Sequence, residues 1–277
     1  MANFDFDQAE GLRRMLAGAK PRIVTFLCAS AGDDKGAMLV NLGASLARAG
    51  TDVVIVDACS EQLGVARRLG VEAGACLLSV SRQECGLNEA IKPVPQGFCV
   101  ARMARGPARG RNADDARRLA TAFDVLVKQR GLVIVDGEFG PDDSFPVPLM
   151  DSAEIVVQVS TSAASITAAY ALIKRLSQQL GRRPFGILVT GASEAEAKVV
   201  YDNMSTAASR YLAVNLTSMG SVPADEYLQR AARLGRAVVD AFPLAGASVA
   251  FRRLAGRFAL SGMPQLGRPG GNTHFGS

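Results

Sequence analysis

Short runs of mostly apolar, β-branched residues recur along this chain, with helical stretches between them. The clearest are Ile23 to Leu27, DVVIVD (52–57), LVIVD (132–136), EIVVQV (154–159) and FGILVT (185–190), with a more mixed strand over 216–222. A strand with one wet face alternates apolar and polar residues, so near-continuous runs demand cover on both faces. The intervening stretches carry helical spacing. Met38, Leu42 and Leu46 share one face, as do Leu119, Phe123 and Leu126. The expected fold class is α/β, a mostly parallel sheet flanked by helices on both faces. A weaker strand is expected at 98–101 and irregular or short-helical chain over 75–97. Further helices are expected over 60–70, 113–129, 164–180, 194–211, 225–233 and 247–258.

Ligands of such sheets bind beyond the carboxyl ends of the strands. Three charged residues fall at that edge: Lys35, in the loop after the first strand, and Asp57 and Asp136, each closing a strand. A strand, a tight loop with one lysine and a long helix is the layout of a phosphate cradle, in which backbone N–H groups and a helix N-terminus hold the anion. The residues depart from that pattern. Counting from Lys35, the first glycine is Ala29, the second is Asp34, and the metal-binding hydroxyl residue is Gly36. Asp33 and Asp34 place two carboxylates where phosphate oxygens would lie, and like charges a few Å apart repel by roughly 4 kcal/mol at an effective dielectric of 20. The layout says nucleotide site; the chemistry says a disabled or strongly altered one.

Composition excludes several classes. The 277 residues are 48% hydrophobic, enough for a sizeable core. No run of about 18 apolar residues predicts a spanning helix. The acidic start, MANFDFDQAE, lacks a basic n-region and an apolar h-region, so no signal peptide is expected there. Five cysteines without a CxxC pair suggest reduced, buried thiols and a cytoplasmic setting. The single histidine, His274, argues against histidine-based catalysis. A net charge of +5 is too mild to argue for nucleic acid.

The expected organisation is an N-terminal arm over 1–20, an α/β domain over 21–260 and a disordered Gly/Pro-rich tail over 261–277. Residues 5–18 read as an amphipathic helix capped by Asp7, with Glu10 three positions on. Lys20-Pro21 separates this arm from the first strand. Near the other end, VAFRRLAGRFAL (249–260) sets Phe251, Leu254 and Phe258 on one face with Arg252 beside them, either a weak membrane-touching helix or an ordinary terminal helix packed on the sheet. Arg102, Arg105, Arg109 and Arg111 make a basic loop, read first as a solvated one.

Taken together these residues resemble the MinD/ParA ATPase superfamily, and within it the FlhG/FleN-type regulators of flagellar number. DQAEGLR (Asp7 to Arg13) resembles the group's DQAxxLR arm, and SITAAYALIK (Ser165 to Lys174) its SITDAYALIK segment. VNLGASLARAG, DVVIVDA and GSVPAD fit as well. The family hydrolyses ATP as a sandwich dimer. Its phosphate-loop lysine and its two strand-end aspartates fall on Lys35, Asp57 and Asp136, leaving these with Gly36 as a vestigial nucleotide site. Its signature lysine falls on Ser30, its magnesium threonine on Gly36, its switch aspartate on Cys59 and its adenine-side asparagine on Thr190. The resemblance thus implies an ATPase scaffold whose hydrolytic set is mostly gone, with no cofactor expected, and ATP or ADP with magnesium only if the altered loop still binds.

The arm is complete by the same comparison. In the family it docks on an SRP-type GTPase, FlhF, and stimulates GTP hydrolysis. The resemblance places Asp7, Gln8, Ala9, Leu12 and Arg13 in that contact, with Gln8 acting in trans at the GTPase site. It also implies contact with flagellar switch components or a flagellar transcription regulator, no nucleic acid, and a peripheral place at the inner membrane or cell pole. Two other functions stay open on sequence: an active ATP-dependent MinD-type switch, and a ParA-like DNA-associated positioning protein.

Overall fold

The computed structural model describes residues 21–59, 64–104, 113–140 and 142–260. The arm residues Asp7, Gln8, Ala9, Leu12 and Arg13, the tail, and Arg105, Arg109 and Arg111 lie outside that range. The elements run β1 (Arg22–Cys28), α1 (Lys35–Arg48), β2 (Val53–Asp57), α2 (Val65–Arg68), α3 (Leu77–Ser81), α4 (Leu87–Ala90), β3 (Ile91–Pro93), β4 (Cys99–Arg102) and α5 (Ala113–Lys128). Then follow β5 (Leu132–Asp136), α6 (Leu149–Ser152), β6 (Glu154–Ser160), α7 (Ala163–Leu180), β7 (Phe185–Thr190), α8 (Glu194–Leu212), β8 (Leu216–Val222), α9 (Glu226–Arg233), α10 (Val238–Ala241) and α11 (Gly246–Leu260).

The strands form one sheet in the order β3-β4-β2-β5-β1-β6-β7-β8. Every pairing is parallel except β3 with β4. Both faces are covered, as the apolar runs require. One core packs α5, α7 and α8 on the sheet through Phe123, Ile173 and Met204. The other packs α1, α10 and α11 through Leu42, Val238 and Phe251. The short antiparallel strand β3 falls in the stretch read as irregular. Its three residues carry a proline and are too few for a period to show.

The lipid-contact reading of α11 is corrected by its packing. Phe251, Leu254 and Phe258 are 1%, 2% and 2% exposed. Phe258 meets the Phe26 ring at 5.8 Å and carries the Arg22 guanidinium 5.1 Å above its own ring. Only Arg252 of that set faces out, donating to the Pro243 carbonyl at 2.7 Å. The apolar face therefore belongs to the core, which wins because burying a phenylalanine gains about 1.5–3 kcal/mol. Among the described residues no helix is long and apolar enough to cross a membrane. All five cysteines are free; Cys76 alone is fully buried and the other four are half-buried, short of the burial the composition suggested.

Candidate functional site: a phosphate loop filled from within

At its carboxyl end β1 feeds a loop with one 3₁₀ turn over Ala31–Asp33, and α1 begins at Lys35. Asp34 sits between them at φ 39°, ψ 59°, the left-handed region. That is where the cradle pattern puts glycine, and aspartate is among the few other residues that tolerate it. The backbone thus keeps the turn, while the side chain fills the space above the helix. Asp34 Oδ1 accepts from the Ala37 backbone N–H at 3.1 Å and from Arg68 Nη2 at 2.6 Å. A helix N-terminus attracts an anion, and in this chain the anion is its own carboxylate. Asp33 is tied down too. Its Oδ2 accepts from Ser165 Oγ at 2.5 Å, and its carbonyl accepts from Gln158 Nε2.

Lys35 is equally occupied. Its ammonium lies 2.8 Å from Asp136 Oδ1 and donates to the carbonyls of Phe26, at 3.3 Å, and Gly137. Cys59 Sγ stands 3.6 Å away. The side chains of Lys35 and Asp136 are 11% and 1% exposed. Burial works hardest against the lysine's charge, but the Asp136 carboxylate, by charge and hydrogen bond, and the neighbouring sulfurs together hold the pKa above the usual lysine range. Burial also pushes the Cys59 thiol far up, so it stays protonated.

Asp57 and Asp136 are register partners across β2 and β5. The start of α2 folds onto both. The backbone N–H groups of Cys59 and Ala66 donate to Asp57 at 3.1 and 2.8 Å, and that of Val65 donates to Asp136 Oδ2 at 3.0 Å. This closeness needs Gly64, where an added Cβ would lie 2.3 Å from Asp57 Oδ2. Burial first, and then the neighbouring Asp136 charge, push the Asp57 carboxyl up from 3.8 to about 6. The folded state therefore holds a proton that the unfolded chain has lost, between pH about 4 and 6. Stability falls as pH rises through that window, by an amount on the order of 3 kcal/mol from this group. Denaturant unfolding across pH 4–7, with Asp57→Asn as the flatter comparison, checks this.

The oxygens of Asp57 and Asp136 and the Cys59 sulfur lie within 4.8 Å of one another, a spacing that suits a metal ion. A magnesium ion does not fit well beside them. It demands near-ideal octahedral oxygen ligands, Gly36 supplies none, and Lys35 already neutralises Asp136.

Lys35, Gly36, Asp57 and Asp136 are thus brought together at one sheet edge, as the sequence places them. Sequence reading missed their partners. Arg68 and Gly64 carry no local signal. Gln158 does: it is a polar residue, 1% exposed, near the carboxyl end of an otherwise apolar strand. Beside the loop, a cleft of about 510 Å³ opens between α1 and α9, lined in part by Thr190, Pro223 and Leu228.

The chain is similar to the antiactivator FleN of Pseudomonas aeruginosa, with 29% identity over 247 residues and 88% of each chain covered. This likeness supports a FlhG/FleN-type member of the MinD/ParA family. No family model matches. Its fold matches MinD of Aquifex aeolicus at TM-score 0.64, with 16% identity over 88% of this chain and 98% of that one. It matches a ParA family ATPase of Chlorobium tepidum equally, at TM-score 0.64 and 16% identity over 85% and 98% of the two chains. A MinD of Pyrococcus horikoshii, solved with Mg-ADP, also reaches 0.64 at 16% identity over 86% and 95%. That last neighbour was solved with nucleotide, against which the filled loop of this chain stands out.

Proposed function

We propose that this chain is a FleN-like regulator of flagellar number and placement that does not hydrolyse ATP and acts through its arm and surface. One observation carries the loss of hydrolysis: the lysine and the helix N-terminus that would hold a phosphate are each satisfied by an internal carboxylate, Asp136 and Asp34. Phosphoryl transfer rests on positioned charge around the phosphate. A nucleotide would have to displace the Lys35–Asp136 pair, evict Asp34 and bind a metal without a loop hydroxyl. The scaffold then serves as a rigid platform for partners.

The positive function follows the arm. Residues 1–20 form the partner-binding segment, with Asp7, Gln8, Ala9, Leu12 and Arg13 meeting an FlhF-type SRP GTPase. Gln8 orients the attacking water beside the γ-phosphate, a role that glutamine fills in other GTPases. Residues 21–260 carry contacts to flagellar switch components or a transcription regulator, at the cytoplasmic side of the inner membrane or the pole.

The test is GTP hydrolysis by a purified FlhF-type GTPase with the full chain added. Stimulation is expected, and Gln8→Ala is expected to remove most of it while leaving circular dichroism unchanged. Unchanged stimulation by Gln8→Ala overturns the role of the arm. ATP turnover by the full chain alone overturns the loss of hydrolysis.

A further inference from the structure

A surface away from the filled loop carries a chemistry of its own. Tyr227 of α9 and Phe242, just past α10, stack with ring centroids 4.7 Å apart. Both rings are half-buried and rest on the core that packs α1, α10 and α11. The Arg230 guanidinium lies over both, 5.0 Å from the Tyr227 centroid and 5.4 Å from that of Phe242. Arg230 is exposed, and among the described residues no carboxylate or carbonyl pairs with its side chain. The rings therefore hold the fork flat while its N–H donors stay open, the form in which arginine meets a carboxylate through two parallel hydrogen bonds. Apolar side chains flank it. Leu234, four residues on and just past α9, is 61% exposed, and Leu244, two residues beyond Phe242, is 92% exposed. Leu244 does not hang on a loose loop. The Phe242 carbonyl accepts from the Ala245 N–H at 3.0 Å and from Ser248 Oγ at 2.8 Å, and the Pro243 carbonyl accepts from Arg252 at 2.7 Å. A single exposed leucine is ordinary. A leucine pinned in a turn next to a preorganised arginine has the make-up of an interface anchor.

We propose that this surface docks a protein partner through an acidic residue flanked by bulky apolar ones. The carboxylate takes the Arg230 fork, and its apolar neighbours cover Leu234 and Leu244. Charge favours this partner over nucleic acid or an anionic membrane. Those bind through several cations together, whereas within a turn of Arg230 the chain sets one more cation, Arg233, and an anion, Glu226. An arginine already held on aromatic rings loses little freedom when it pairs, so it gains more from one carboxylate than a mobile surface charge does. The proposal extends the reading of residues 21–260 as a platform for partners, and it needs neither the arm nor the closed loop.

Binding of the full chain to an array of short synthetic peptides tests it. Each peptide carries one Asp or Glu between leucines or phenylalanines, beside a copy with Asn or Gln in its place. A subset of the acidic peptides is expected to bind at micromolar concentration, and their amide copies about tenfold more weakly or worse, the effect of losing a charge-assisted bond. Arg230→Ala and Leu244→Ser are each expected to lose the same subset with circular dichroism unchanged. Arg230→Lys is expected to recover only part of it, because an ammonium does not reproduce the stacked fork. Arg210→Ala, which removes an exposed arginine that stacks on Tyr211 at 5.3 Å, is expected to keep full binding. No binding by any acidic peptide, equal binding of the amide copies, or binding unchanged by Arg230→Ala overturns the proposal. So does Arg230-dependent sedimentation with anionic-lipid vesicles, which would make lipid the occupant. ATP turnover, or GTPase stimulation unchanged by Gln8→Ala, would sink the reading of loop and arm without altering peptide binding.

Discussion

Replacing Lys35 with methionine is expected to destabilise the fold by about 3–5 kcal/mol, the cost of stripping one partner from a buried ion pair. The reason is what the lysine leaves behind. Asp136 is 1% exposed, with Asp57 as its neighbour in register on β2. Without the ammonium, two carboxylates share a site that water does not reach. The remaining donors, the N–H groups of Cys59, Val65 and Ala66, offset only part of that. A proton can replace the lysine, so the loss should shrink as pH falls from 7 towards 5. Adding Asp136→Asn to Lys35→Met should recover a large part of it. Urea unfolding of the four proteins of this cycle gives the numbers. A lysine kept in an open loop for a passing phosphate would behave otherwise, since a surface substitution away from such features changes stability by about 0.5 kcal/mol or less. A loss that small would mean Lys35 is free, and with it the phosphate site.

The sheet was legible because each strand carries its own instruction. LVIVD, FGILVT and residues 216–222 coincide with β5, β7 and β8 to the residue. Apolar runs bounded by charge or turn residues leave little freedom, and the long helices α5, α7 and α8 begin and end within a residue of the expected places. The helix expected over 60–70 is a single turn, Val65–Arg68, and the short α6 and α10 fall where no helix is expected. The gathering of Lys35, Asp57 and Asp136 was legible for a topological reason: in a parallel sheet all strand ends lie on one edge. What the sequence left open is where each side chain turns. An aspartate directly ahead of α1 is a local capping signal, three residues from Ala37, but nothing local says that Arg68 would close over it or that Lys35 would turn inward. Those two outcomes depend on residues far apart in sequence, Arg68 with Asp34 and Lys35 with Asp136. The repulsion expected of Asp33 and Asp34 is met by separate partners, Ser165 and the α1 N-terminus. The pair therefore persists without straining the loop.

The same difficulty, a face whose partner lies far away in sequence, governs α11, and a single truncation decides it. Phe258→Ala is expected to cost about 3–5 kcal/mol, the range for removing a buried aromatic ring. The ring does more than fill space. It packs on Phe26 of the central strand β1 and lies under the Arg22 guanidinium. Arg22 in turn donates to the Phe258 carbonyl at 2.6 Å and pairs with Glu154 of β6. That network fastens the last helix to the sheet, and truncation leaves both a cavity and a loosened arginine. Arg252→Ala, on the exposed side of the same helix, is expected to cost about 1 kcal/mol or less, the worth of one hydrogen bond. Thermal or urea unfolding of the two variants, set beside sedimentation with anionic-lipid vesicles, separates the roles. A helix that keeps its apolar face for lipid would show the opposite pattern, with stability untouched and vesicle binding lost in Phe258→Ala. A helix that builds the core loses stability first. Any lipid contact it made would then require α11 to leave the sheet, at a cost in buried area that a short amphipathic helix regains only in part from a membrane surface.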